Sequence, residues 1–187
     1  MAIKKASEIP TIDVNLVTVQ SESTGADEFI LDTASQIQVE PQIEEEDGVK
    51  LVVKGVLKAQ KLGTSTLTGN QITLTDNVFT PELVKLLQGG TITTAQDGTV
   101  TGYTPPVAGS SEKGEVFTLK AYSAQYNAAG TITRYECISY PNCQGVPIAF
   151  NSEDGAFRAP EYTINSAPDI GEAPYTITYV QSLPTAS

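Results

Sequence analysis

The chain has 187 residues, enough for one domain with a sizeable core. Eleven Lys and Arg against 22 Asp and Glu leave a formal charge of −11, which argues against a protein that grips a phosphate backbone. Histidine is absent, which removes the commonest neutral-pH base, the usual nitrogen ligand of zinc and any Ser-His-Asp or Cys-His arrangement.

No apolar run approaches the length of a membrane span, and no membrane partner is expected. The N-terminal MAIKKASEIP has no hydrophobic segment behind its two lysines, so it does not read as a secretory signal. Residues 1–12 read as an arm. Residues 13–20, DVNLVTVQ, alternate apolar and polar and read as a first strand, and Ser21–Asp27 is a polar link. Phe29–Pro41 carries Phe29, Leu31, Ile37 and Val39 and reads as strand, an irregularity near Thr33–Ser35, then strand again.

Ile43–Gly48, IEEEDG, is the densest charge run. Asp47-Gly48 is a good turn pair, which predicts a solvated hairpin tip there. Glu44, Glu45, Glu46 and Asp47 do not follow the alternating ligand pattern of an EF-hand loop, so no metal site is expected of them. Lys50–Leu62 follows, with lysines at 50, 54, 58 and 61. The lysine spacing has a helical look, but Val52, Val53, Val56 and Gly55 favour a strand. Gln36–Leu62 is therefore predicted to be a long hairpin, with carboxylates on one arm facing lysines on the other.

After a Gly/Ser/Thr-rich link at 63–69, Gln71–Gly90 is the most informative stretch. Ile72 and Leu74 alternate with Thr73 and Thr75 as in a half-buried strand, and Asp76-Asn77 turns the chain. A helix over 80–88 is predicted. Thr80 can cap it, Pro81 suits its first position and Glu82 faces the positive end of its dipole. Leu83, Leu86 and Leu87 form one apolar stripe, and Gly89-Gly90 end the helix. So short a helix is not stable alone in water, so it must lie on something apolar.

Thr91–Gly102 reads as a short hairpin around Asp97-Gly98, and Tyr103–Gly114 as a loop. Glu115–Tyr126 alternates cleanly, with Phe117, Leu119 and Ala121 on one face, and Thr131–Tyr140 returns antiparallel to it. Pro147–Phe150 reads as a short strand, Ala156–Asn165 as a strand with Pro160 near an edge or bulge, and Tyr175–Gln181 as the last strand. Cys137 and Cys143 are the only cysteines and are expected to be reduced and partly buried. Tyr122, Tyr126, Tyr135 and Tyr140 fall in one region. They pack within the sheet or form a sugar-binding platform, the former being the simpler reading.

About nine strands and one helix give a mainly β fold, a β-sandwich or partly open barrel with one short helix packed on it and a long projecting hairpin. The expected organisation is an arm over 1–12, one β domain over 13–181 and a loose tail over 182–187. No catalytic constellation or phosphate-binding loop is present in the sequence, so an enzyme is not expected.

Several stretches together resemble the major tail tube proteins of long-tailed bacteriophages and related phage-tail-like particles. They are DEFILDTASQIQVEPQIE, KLVVKGVLKAQK, NQITLTDNVFTPELVKLLQGG, RYECISYPNCQGVPIAF and GAFRAPEYTINSAPDIGEAPYTITYV. The strand, capped helix and Gly-Gly unit is the most specific piece. The resemblance implies hexameric rings stacked into a hollow tube, through which DNA passes without specific binding. It implies a virion component made in the host bacterial cytoplasm, with tape measure, terminator and baseplate proteins as further partners and no cofactor. On this reading Glu44, Glu45, Glu46, Asp47, Lys50, Lys54 and Lys58 are inter-subunit contacts, with Lys54 and Lys58 meeting carboxylates. The alternatives are another tail-tube-like ring protein (a tail terminator, a baseplate hub or the inner tube of a contractile particle) or a carbohydrate-binding β-sandwich.

Overall fold

A computed structural model describes residues 9–26, 28–150, 152–155 and 157–185. Most of the expected N-terminal arm, residues 1–8, and the end of the tail, residues 186–187, lie outside the described residues. The elements are β1 (Thr11–Ser21), β2 (Glu28–Leu31), β3 (Ala34–Glu46), β4 (Val49–Val53), β5 (Val56–Lys61), β6 (Thr64–Asp76), α1 (Pro81–Gln88), β7 (Thr91–Thr94), β8 (Val100–Thr104), β9 (Phe117–Tyr126), β10 (Ile132–Gly145), β11 (Glu161–Ser166) and β12 (Thr176–Val180). The described residues are mainly β with one short helix, as the sequence predicts.

One antiparallel sheet runs β2-β1-β9-β10-β11-β6-β3, with β12 also paired to β10. The 14-residue β10 is its spine. One edge pairs with β9, while the other pairs first with β12 at Tyr135–Ser139 and then with β11 at Cys143–Gly145. The change of partner falls around Pro141–Asn142, where Asn142 has φ +49° and the β9 register shifts. A proline gives up a ladder donor and tends to sit at such an irregularity.

The sheet folds over on itself. Val17, Val19, Phe117, Leu119 and Tyr140 from β1, β9 and β10 share one core with Ile72, Leu74, Tyr162 and Ile164 from β6 and β11. This is a sandwich-like arrangement whose sheets do not close into a barrel; β2 and β3 remain its borders.

The helix covers this core. Leu83, Leu86 and Leu87 are buried as the apolar stripe requires, and Val84, which the stripe did not include, is fully buried beside them. Gly89 (φ +81°) follows, and its N–H donates to the Lys85 carbonyl at 2.8 Å. The expected Thr80 cap is not made. Its hydroxyl instead points at Asp76 Oδ2, 3.5 Å away. Gly145 of β10 lies directly under the helix, where a Cβ would collide with Leu87. Glycine here lets the helix reach the sheet backbone.

Several boundaries differ from the sequence reading. The Thr/Ser-rich stretch at 64–69 is strand rather than link, in keeping with the β preference of threonine. Residues 147–150 are not strand, and β11 begins only after Pro160. β10 runs through Pro141 to Gly145 instead of ending at Tyr140. The β7–β8 hairpin forms where expected. Its turn is held by Thr99 N–H donating to Asp97 Oδ1 at 3.0 Å, and Gly98 has φ +85°.

Candidate assembly surface

The long hairpin is present, but it is longer than 36–62 and its tip lies elsewhere. β3 pairs with β6 from Ala34↔Asp76 out to Glu46↔Thr64. Beyond that point β4 and β5 form a second ribbon, from Val49↔Lys61 to Val53↔Val56. Asp47-Gly48 is therefore not the tip. It faces Leu62-Gly63 at a neck where the ladder is interrupted on both strands. The neck is tight: a Cβ on Gly63 would lie 2.5 Å from the Glu46 carbonyl oxygen, and one on Gly48 would lie 2.9 Å from Gly63 N. Two glycines allow the backbones this approach.

The tip is Lys54-Gly55, with φ +51° and +77°. Positive φ at both central residues is the mark of a type I′ turn, whose twist matches that of the flanking strands. From neck to tip the ribbon spans roughly 20 Å at the usual rise per strand residue. Lys58 is the extra residue of a bulge between Leu51↔Ala59 and Val52↔Leu57.

The carboxylate-against-lysine ladder is not what forms. Glu44, Glu45 and Glu46 face Thr66, Ser65 and Thr64. Successive residues of a strand point to opposite faces, so the three do not converge. Lys61 pairs with Glu46, both well exposed. Such a pair contributes little to stability. Among the described residues no carboxylate of this chain pairs with Lys50, Lys54 or Lys58, and no group of three or more Cys, Asp or Glu gathers to hold a metal ion.

What distinguishes the ribbon is apolar exposure. All eleven residues of β4 and β5 are exposed. Residues that face each other in the ladder share a face, so Val49, Leu51, Val53 and Val56 lie on one side and Val52 with Leu57 on the other. Among the described residues the two strands touch each other and little else. A two-stranded ribbon is marginal in water without a surface to lie on, and clustered exposed apolar residues mark interaction sites.

The sheet also keeps open borders. β12 pairs with β10 along one edge, and its Thr176–Tyr179 are exposed. Arg134 stacks 4.0 Å over the Tyr179 ring and donates from Nε to Gln125 Oε1 at 2.6 Å. At the β2 border, Glu28 accepts from the Thr18 hydroxyl at 2.6 Å and pairs with Lys120 at 3.0 Å. Partial burial pushes the Glu28 carboxyl up, but the hydrogen bonds from Thr18 and Lys120 and the Lys120 charge outweigh it and hold the group below the usual carboxylate range.

The four tyrosines do not form a platform. Tyr122 and Tyr140 are buried, and they lie on opposite faces of the β9–β10 pair, in separate apolar clusters. Burial pushes both hydroxyls up to about 12. Cys137 and Cys143 are buried and free, Cys137 beside Tyr122 and Leu16, Cys143 in the main core. Among the described residues no helix is long and apolar enough to cross a membrane.

The structure is thus a mainly β protein with a projecting ribbon and unpaired sheet borders. No family model and no curated protein matches the chain. Among solved structures, a chain in the cryo-EM structure of the anti-feeding prophage (AFP) baseplate, 6-fold symmetrised, is similar over 97% of this chain and 98% of its own. The identity is 9% and the TM-score 0.35, too low a likeness to carry a conclusion about role.

Proposed function

We propose that the protein is a structural subunit of a phage tail or phage-tail-like particle, most specifically a tail tube subunit whose hexameric rings stack into a conduit for DNA. The sequence resemblance supports the tube reading. The observation that carries the assembly reading is the β4–β5 ribbon, which exposes apolar residues on both faces and is left uncovered by the described residues of its own chain. Ordering such a ribbon against a neighbouring copy removes apolar area from water and stabilises the contact. Open borders such as β12 can be completed by a strand of another subunit. The acidic body suits a channel that must release DNA rather than hold it. In this role the protein needs no catalytic centre and no cofactor, and it resides in the virion tail.

Negative-stain microscopy of concentrated protein tests the reading. Hexameric rings or long tubes are the expected result. A protein that stays monomeric at high concentration, alone and with its neighbouring tail proteins, would count against it. Replacing Glu44, Glu45 and Glu46 by lysine is expected to leave the monomer folded and to weaken stacking. Unchanged tubes would show that this part of the arm is not a contact.

A further inference from the structure

A groove of about 420 Å³ lies between α1, the β7–β8 hairpin and the β1–β2 border. Phe29, Leu86, Ile92 and Val100 supply its apolar lining. Glu82, Lys85 and Glu115 also line it. Glu115 is fixed there by the Ser21 hydroxyl, which donates to its Oε2 at 2.5 Å. We propose that this groove receives the hairpin tip of a second copy of the chain, Val53 and Val56 packing on its apolar lining while Lys54 and Lys58 meet Glu82 and Glu115.

Three observations converge on that occupant. Val53 and Val56 face each other at the end of the ribbon, 43% and 55% exposed, and present one small aliphatic knob. Residues 48–75 carry four lysines and no carboxylate. Removing those four positive charges from the chain's −11 leaves −15 on the rest, so a basic arm projects from an acidic body and is attracted to the body of another copy. Finally, among the described residues β4 and β5 make almost no contact outside their own pair, so the tip does not occupy the groove of its own chain.

Tip and groove are different surfaces, so each copy offers one of each. A contact of this kind is heterologous and repeats from copy to copy. The proposal rests on the reading that copies assemble, and it names where the arm goes.

Engineered cysteines test it, because the two native cysteines are buried. In assembled protein carrying Val53→Cys and Ile92→Cys, mild oxidation is expected to give a ladder of covalent oligomers on a non-reducing gel, with either single variant giving at most dimers. Assemblies that form but give no ladder overturn the groove while leaving the assembly reading intact. Wild-type protein that never assembles overturns both. Hydrogen exchange on wild-type assemblies is the check that needs no variant. Slower exchange than in the monomer is expected at both 52–57 and 92–100, and protection of the tip without the groove overturns the proposal.

Discussion

The hydroxyl of Thr33 donates to Oδ1 of Asp76 at 2.5 Å, tying the corner between β2 and β3 to the end of β6. Asn77 N–H adds a backbone bond to the Thr33 carbonyl at 3.2 Å. The Asp76 side chain is fully buried and relies on such donors, since no cation pairs with it among the described residues. Thr33→Val removes the shortest of them. Leaving a buried acceptor without its donor costs about 1–3 kcal/mol, and a loss of that order is expected. Urea unfolding should show a lower midpoint with an unchanged slope.

Gly145→Ala places a methyl against Leu87 and forces the helix away from β10. Overpacking of this kind costs about 1–3 kcal/mol. Gly102→Ala is the control. Its Cβ would meet nothing within 4 Å and its φ is not positive, so its stability should stay level or rise by up to about 1 kcal/mol. Equal losses in the two variants would show that the close approach is not what matters at Gly145.

Val53→Asp with Val56→Asp should separate folding from assembly. Both side chains are exposed, and surface changes usually stay within about 0.5 kcal/mol each. The monomer is expected to melt as wild type does, while sedimentation shows no rings or tubes.

The Glu28 carboxyl has a folded pKa below its ordinary 4.5. Its contribution to stability is therefore fully present above the ordinary value and is lost as the pH falls through the lowered one. Glu28→Gln should flatten the acid limb of a stability–pH curve measured from pH 7 downward. The change is small because the site is partly open to water. An acid limb identical to that of wild type would show that Thr18 and Lys120 do not favour the ionised form.

Burial pushes the Cys143 thiol up to about 12, and Cys137 is buried in the separate cluster beside Tyr122. Thiolates are the reactive form. Neither cysteine should be alkylated at pH 8 in the native protein, and both should be after unfolding, as mass spectrometry would read. Rapid labelling of the native protein would mean that the clusters open.

The strand–helix unit was legible because its signals are local. Alternation marks β6, Pro81 starts the helix, the leucines set its buried face and Gly89 ends it. The mainly β class followed from many short alternating runs. By residue type Asp47-Gly48 is the better turn pair, so the sequence alone puts the hairpin tip there. The ladder to β6 instead carries the chain past it, and the turn falls on Lys54, an uncommon residue for positive φ. The Thr80 hydroxyl was claimed by Asp76, four residues back, which capping rules do not weigh. The groove was invisible in sequence because Phe29, Leu86 and Val100 come from three separate hairpins and helices that only tertiary packing brings together.

Glu46 and Thr64 face each other across the ladder, so the seventeen intervening residues are, in topology, an insert within a simpler hairpin. The body's strand order is the same whatever hangs from that pair. Another ribbon can be grafted there, or this one trimmed, without moving the pair beneath it; only a one-residue slip of one ribbon strand against the other would turn that strand's side chains to the opposite face. Reach and partner choice can therefore diverge between related chains while the scaffold beneath stays unaltered.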